Sequence, residues 1–125
     1  MIKISKLISS LFKTEKKKIL FICFWNKHRS LTAETLYKND KRFDVQSAGI
    51  SSVARQVLNP DLLRWADFVF VMEEYQIDKV KTNFPIDHKE NRFFNLDIRD
   101  HYEYMDSNLI GLIKEKFENK LKEID

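Results

Sequence analysis

Cysteine, glycine and proline are scarce in this chain of 125 residues, which contains one, two and two of them respectively. A single cysteine excludes a disulfide within the chain and suits a reducing compartment, so we expect a cytoplasmic protein. The few glycines and prolines exclude a collagen-like or linker-rich sequence. No apolar run reaches the roughly 18 residues of a membrane-spanning helix, and the beginning of the chain lacks the features of a secretory signal.

Apolar residues are plentiful, at 43% of the chain, and ten phenylalanines provide material for a hydrophobic core. This length favours one domain, which we assign to residues 18–125, preceded by a basic arm of residues 1–17. Six lysines and one glutamate lie within residues 1–18, whereas the remaining residues carry 16 basic and 18 acidic side chains. Because the domain itself is slightly acidic, nucleic acid is not an expected partner.

The arm places five apolar residues on one face of a predicted helix, namely Ile4, Leu7, Ile8, Leu11 and Phe12. Such a short amphipathic helix would pack against the domain or fray in solvent. Contact of its lysine-rich surface with an anionic membrane is the alternative.

Apolar and helical segments alternate along the rest of the chain. Strands are predicted at 18–23, 43–47, 68–72 and 91–96, and helices at 29–38, 60–65, 73–83 and 109–124. The near-continuous apolar runs of the first and third strands are typical of strands buried on both faces. This order predicts an α/β fold of three layers, a doubly wound four-stranded parallel sheet with helices on both faces. A site in such a fold lies at the carboxyl ends of the strands.

Cys23 and Arg29 are separated by five residues between the first predicted strand and the first predicted helix. A loop of that length can wrap its backbone N–H groups around a tetrahedral anion, and the positive end of the helix favours negative charge there. The same field favours the nucleophilic thiolate form of Cys23. Arg29 offers a planar fork for two phosphate oxygens. The alternative is a buried structural cysteine beside an unrelated surface arginine.

Several sequence blocks extend this pattern along the chain. They are Ile19-Leu-Phe-Ile-Cys23, Asn26 with Arg29-Ser30 and Ala33-Glu34, Val45-Gln-Ser-Ala-Gly49, Val53-Ala-Arg-Gln56 and Trp65-Ala-Asp-Phe-Val-Phe-Val-Met-Glu73. This ordered set resembles the low-molecular-weight protein tyrosine phosphatases, in a short and divergent bacterial-type form. The resemblance covers nearly everything from Lys18 onward. The resemblance implies the fold of that family, hydrolysis of phosphomonoesters through a phosphocysteine intermediate, and no cofactor.

The family's general acid is an aspartate in a loop before the last helix, and Asp100 occupies that place. Tyr102 follows it at the family spacing, which favours Asp100 over the competing candidate Asp97. The reaction needs such an acid because an alkoxide or phenoxide leaves poorly unless it is protonated.

The resemblance implies a phosphate-binding loop made of Phe24, Trp25, Asn26, Lys27, His28, Arg29 and Ser30. Asn26 would hold the loop through its side chain and tolerate a left-handed backbone there. Ser30 would donate a hydrogen bond to the thiolate, and Ser47 would support the loop. The walls of the aryl pocket would come from Tyr102, Phe24 and Trp25.

The chain departs from the family at Trp25, Lys27, His28 and Leu31, where the family usually has Gly, a smaller residue, a second Cys and Pro. The bulky, basic rim leaves a protein phosphotyrosine, phosphoarginine and a small phosphoester open as substrates. Phosphate or sulfate is an expected occupant of the loop. A phosphate- or phosphopeptide-binding module without turnover is the alternative. Arsenate reduction is a further one, but it would need an external thiol because the chain has no second cysteine.

The three histidines, His28, His88 and His101, are scattered along the sequence. They lack the close spacing of metal ligands. No metal site is therefore predicted.

Overall fold

A computed structural model of the chain describes residues 16–88 and 92–124. Strands and helices alternate within these ranges, as β1 Lys17–Cys23, α1 Arg29–Tyr37, β2 Phe43–Gly49, α2 Pro60–Trp65, β3 Phe68–Val71, α3 Glu74–Asn83, β4 Phe93–Asn95 and α4 Ser107–Ile124. The predicted order is confirmed, and the predicted ends differ from these by at most two residues. The predicted helix in the arm lies outside the described residues, and Lys17, assigned to the arm, is the first residue of β1.

All neighbouring strands of the sheet are parallel, in the order β2-β1-β3-β4. The predicted fold class is therefore confirmed. The chain passes from β1 to its neighbour β2 and then returns across β1 to β3. This reversal opens a crevice at the carboxyl ends of β1 and β3, where such folds bind ligands. Cys23 is the last residue of β1 and lies at this crevice.

Both faces of β1 are buried, which explains its continuous apolar run. Ile19, Phe21 and Cys23 belong to the core shared with α1 and α4. Leu20 and Ile22 belong to the core shared with α2 and α3. The sheet therefore has a pair of helices on each face.

An aromatic cluster fixes α4 against the sheet. The Phe117 ring lies 5.1 Å from that of Phe21, 4.9 Å from that of Phe70 and 4.7 Å from that of Tyr37, measured between centroids. Phe117 is fully buried, and edge-on aromatic pairs of this kind stabilise a core beyond their buried area. The loop that precedes α4 is thereby brought to the end of the sheet where Cys23 lies.

Two polar side chains determine where the helices beside β3 begin. Asn59 caps α2 by accepting the backbone N–H of Leu62 at 2.9 Å, as helix N-caps do. The buried amide oxygen of Gln76 accepts the backbone N–H groups of Met72 and Glu73, at 2.8 and 3.1 Å. Glu73 is thereby held at the carboxyl end of β3. None of the described helices is both long and apolar enough to cross a bilayer.

Candidate active site

The sulfur of Cys23 lies at the bottom of the loop that joins β1 to α1. Only 3% of the residue is exposed. Its Sγ atom accepts the backbone N–H of Asn26 at 3.2 Å and lies 2.9 Å from the Ser30 hydroxyl oxygen. Both groups can donate to a sulfur anion, and hydrogen bonds to a charged form stabilise that form.

The segment after β2 turns the carbonyl groups of the loop outward. The backbone N–H of Ile50 donates to the carbonyl of Cys23, and that of Ser51 to the carbonyl of Phe24, at 3.1 and 3.0 Å. Arg55 completes the set, donating its backbone N–H to Trp25 at 3.1 Å and its Nε–H to the carbonyl of Asn26 at 3.3 Å. With four consecutive carbonyls held from outside, the positive ends of these peptides are left to face the loop interior, as in an anion-binding nest.

Gly49 is required by this close approach. A Cβ atom at that position would lie 2.5 Å from the Cβ of Ala54 and 2.7 Å from the carbonyl oxygen of Phe24. Either distance is shorter than van der Waals contact, and the second involves backbone that cannot move independently. Only glycine lets β2 end directly against the loop.

Asn26 holds the loop from inside. Its φ angle is 55°, the left-handed region that asparagine tolerates better than most residues. Its amide nitrogen donates to the hydroxyl oxygens of Ser30 and Ser47, at 2.7 and 2.9 Å. The Ser47 hydroxyl in turn donates to Glu34 at 3.2 Å. The structure thus brings Asn26, Ser30 and Ser47 together.

Arg29 is almost completely buried at the start of α1, and one nitrogen anchors it. Nη1 donates to a Glu73 carboxylate oxygen at 2.9 Å and to the carbonyl of Ile98 at 2.7 Å. Within the described part of the chain, Nε and Nη2 make no hydrogen bond. Nε and Nη2 form the edge of a guanidinium that binds two oxygens of one phosphate in parallel. The anchoring of Nη1 therefore leaves the bidentate edge without a hydrogen bond, although the Asp100 carboxylate faces Nε at 3.8 Å.

Asp100 is the acidic candidate that approaches Arg29. It belongs to the acid loop, defined as residues 96–106 between β4 and α4, and its Oδ1 lies 3.8 Å from Nε of Arg29. Asp97, the competing candidate, is exposed and has a φ angle of 53°, and its carbonyl accepts Nζ of Lys116. The geometry favours Asp100, which is half-exposed and able to meet a leaving group.

A small cavity joins these groups, and its lining consists of Cys23, Trp25, Lys27, His28, Arg29 and Asp100. Of the three expected walls, Phe24 and Tyr102 are not among the lining residues. Phe24 contacts Trp25 edge-on with ring centroids 4.7 Å apart, and Tyr102 is half-buried and packs against the core cluster that includes Cys23. Trp25 is therefore the aromatic side chain at the mouth.

Sequence reasoning missed the roles of Glu73 and Glu34, although both residues belong to the blocks that carry the resemblance. Glu73 anchors Arg29, and Glu34 accepts from the Ser47 hydroxyl. The sequence did contain a signal for Glu73, because it is a charged residue directly after a fully apolar strand. The carboxyl ends of parallel strands meet at one edge of the sheet, so such a residue lies near the site. Among residues 16–88 and 92–124, no three His, Cys, Asp or Glu side chains are grouped to hold a metal ion.

Comparison with known proteins identifies the fold. No family model and no curated protein sequence matches the chain. Among solved structures, the chain is similar to the low-molecular-weight protein tyrosine phosphatase SP-PTP from Streptococcus pyogenes, at 14% identity and a TM-score of 0.66, covering 87% of this chain and 93% of that one. This chain has the fold of the low-molecular-weight protein tyrosine phosphatases, as the sequence blocks predicted.

Two further neighbours with this fold are a tyrosine phosphatase and an arginine phosphatase. The tyrosine phosphatase Wzb from Escherichia coli K30, solved in complex with phosphate, has 17% identity and a TM-score of 0.69, covering 89% of this chain and 100% of that one. The YwlE arginine phosphatase from Geobacillus stearothermophilus has 21% identity and a TM-score of 0.62, covering 85% of this chain and 93% of that one.

Proposed function

We propose that this chain hydrolyses phosphomonoesters through Cys23, as a metal-independent phosphatase of the protein tyrosine phosphatase type. One observation carries the proposal. Cys23 and Arg29 line the same cavity together with Asp100, whose Oδ1 lies 3.8 Å from Nε of Arg29, beneath a loop whose carbonyls are held away from it. A sulfur nucleophile, a guanidinium fork and inward-facing peptide groups are what transfer of a phosphoryl group to cysteine requires.

In the first step, the thiolate of Cys23 attacks phosphorus in line with the ester oxygen. The S–P bond forms as the P–O bond breaks, and Asp100 gives its proton to the departing oxygen. A phosphate dianion repels a nearby carboxylate and so favours its protonated form. Nε and Nη2 of Arg29 hold two of the equatorial oxygens, where charge develops.

In the second step, the carboxylate of Asp100 takes a proton from water, and the water oxygen attacks phosphorus as the S–P bond breaks. The Ser30 hydroxyl lies 2.9 Å from the sulfur and donates to the departing thiolate. Phosphate is released, and the thiolate and the protonated form of Asp100 are regenerated, so the cycle consumes only ester and water.

Phosphotyrosine is the substrate that the mouth of the cavity fits best. Trp25 is 41% exposed beside Cys23, so its indole can stack on an aryl ring. Lys27 lies over that indole, with Nζ 6.0 Å from the ring centroid. The positive charge of Lys27 repels the guanidinium group of phosphoarginine, which is the other substrate class named among the neighbours. Phosphotyrosine peptides should therefore be hydrolysed faster than matched phosphoarginine peptides.

Turnover of 4-nitrophenyl phosphate by the purified chain tests the proposal. Cys23→Ser should abolish release of nitrophenol, because serine is not ionised near neutral pH. Asp100→Asn should slow turnover of phenyl phosphate by about 10²–10⁴-fold. Asp97→Asn is the matched control and should remain close to wild type. Wild-type turnover by Cys23→Ser would refute the assignment.

A phosphate-binding module without turnover is the second candidate, favoured by the narrowness of the cavity between Trp25, Lys27 and Asp100. For this function, phosphate should raise the melting temperature of the wild-type chain while no aryl phosphate is hydrolysed between pH 5 and 8. Hydrolysis that depends on Cys23 would exclude this candidate.

A further inference from the structure

The far end of the acid loop is attached to the start of α1. The backbone N–H of Tyr104 donates to Nδ1 of His28 at 3.0 Å, and that of Met105 donates to Oγ1 of Thr32 at 2.9 Å. The Tyr104 hydroxyl also lies 2.9 Å from the Thr35 hydroxyl. Met105 has a φ angle of 61°, so the chain turns sharply at this attachment.

The near end of the acid loop is attached to the sheet. The backbone N–H of Leu96 donates to Val71 at 2.9 Å, and that of Ile98 donates to Met72 at 2.8 Å. The carbonyl of Ile98 accepts Nη1 of Arg29. Asp100 therefore lies between two fixed ends, on a short span of residues 99–103 that is exposed except at the half-buried Tyr102. The position of Asp100 depends on both ends.

We propose that His28 is a positioning residue, whose Nδ1 atom holds the acid loop so that Asp100 stays over the cavity. This inference rests on the proposed phosphatase function. A backbone N–H can only donate, so Nδ1 is an acceptor and the ring proton is on Nε2. An imidazolium ring carries protons on both nitrogens and cannot accept this hydrogen bond. Protonation of His28 therefore removes this hydrogen bond and weakens the attachment, leaving the bonds to Thr32 and Thr35 to hold the far end of the acid loop.

The charges around His28 come from three directions. Lys27 from its own loop, Arg29 from α1 and Asp100 from the acid loop line the same cavity. Glu103 precedes Tyr104 in the acid loop and is exposed.

Two substitutions at His28 distinguish loss of the hydrogen bond to Tyr104 from a change in the size of the side chain. Asn places its side-chain oxygen where Nδ1 lies, accepts the same hydrogen bond and does not titrate, whereas the longer Gln places its oxygen near Nε2. For phenyl phosphate, whose leaving group needs the acid, His28→Gln should reduce kcat by about fivefold. For 4-nitrophenyl phosphate, whose leaving group needs it less, the loss should be smaller. His28→Asn should retain more activity on phenyl phosphate than His28→Gln.

The ratio of the wild-type rate to the His28→Asn rate should also fall when the His28 ring is protonated, because the asparagine side chain keeps its acceptor. Equal losses on both esters, or an Asn variant no better than Gln, would overturn the proposal. Thr32→Val removes the neighbouring attachment without a titrating group. It should reproduce the selective loss on phenyl phosphate.

A measurement independent of turnover keeps the two proposals distinguishable. In ¹⁵N-labelled protein, the amide resonance of Tyr104 should follow the titration of the His28 ring, and should not do so in His28→Asn. If the wild type hydrolyses neither ester but this resonance titrates, the proposed function fails while the attachment stands. A Tyr104 amide that does not respond to His28 protonation overturns the attachment whatever the activity.

Discussion

Replacing Asn26 tests how the loop beneath the candidate site is held. Asn26→Ala removes hydrogen bonds to Ser30 and Ser47, worth about 1 kcal/mol each, and forces alanine into a left-handed backbone at about 1 kcal/mol more. The Oδ1 atom of Asn26 is buried and has no partner among the described residues, so its removal offsets part of the loss. We expect Asn26→Ala to lower the free energy of unfolding by about 2–3 kcal/mol.

Asn26→Gly is the matched variant, because glycine adopts the left-handed backbone freely while losing the same side-chain bonds. It should be less destabilising than Asn26→Ala by about 1 kcal/mol. Urea unfolding followed by circular dichroism measures both values. Turnover should fall in both variants, since the Ser30 hydroxyl beside the sulfur loses its partner. Equal stabilities of the two variants, or a loss below about 0.5 kcal/mol in both, would refute this reasoning.

Three further predictions use the same unfolding assay and concern a close glycine contact, the aromatic cluster and an ion pair. Gly49→Ala should cost about 1–3 kcal/mol through its contacts with Ala54 and Phe24, whereas Gly111→Ala, at an open position of α4, should gain about 1 kcal/mol. Phe117→Ala empties the centre of the aromatic cluster and should cost about 3–5 kcal/mol. Glu118→Gln should cost about 0.5 kcal/mol at pH 7 and progressively less below pH 4.

The sign of the last prediction follows from the Arg42 side chain. Its hydrogen bonds lower the pKa of Glu118, and likewise that of Asp40. A lowered pKa in the folded state gives stability that is present above the unfolded value of about 4.3 for Glu, and that is lost as the pH falls through the folded value. A Glu118→Gln deficit that grows on acidification would contradict this. A Gly49→Ala variant as stable as the wild type would contradict the first of these predictions. A stability loss below about 1 kcal/mol in Phe117→Ala would contradict the second.

The sequence predicted the sheet and helices well because their signals are local. Each apolar run of β1 and β3 is buried on both faces, and Asn59 marks the start of α2 by capping it. The separation of Cys23 from Arg29 likewise specifies the length of a strand-to-helix loop. The family resemblance named Asn26, Ser30 and Ser47 as supports of this loop, and the structure shows their side chains in contact.

Contacts that depend on strand order were beyond the sequence. Glu73 reaches Arg29 because β3 lies beside β1, and no periodicity in the chain specifies that neighbour. The hydrogen bonds that hold the loop carbonyls outward are donated by Ile50, Ser51 and Arg55. These residues lie in an irregular segment without a helical or strand pattern. The family resemblance implied Tyr102 as a wall of the pocket; it packs against the core and is not among the residues that line the cavity.

Crystals of the chain grown with orthovanadate give the most direct test of the central claim, that one oxyanion is shared by the Cys23 sulfur and the free edge of Arg29. Vanadate forms a bond to a reactive thiolate and copies the five-coordinate geometry of phosphoryl transfer. We predict vanadium bonded to Sγ of Cys23, with two equatorial oxygens on Nε and Nη2 of Arg29 and an apical oxygen facing Asp100. Vanadate bound away from this sulfur, or an Arg29 edge that makes no contact with it, would contradict the claim.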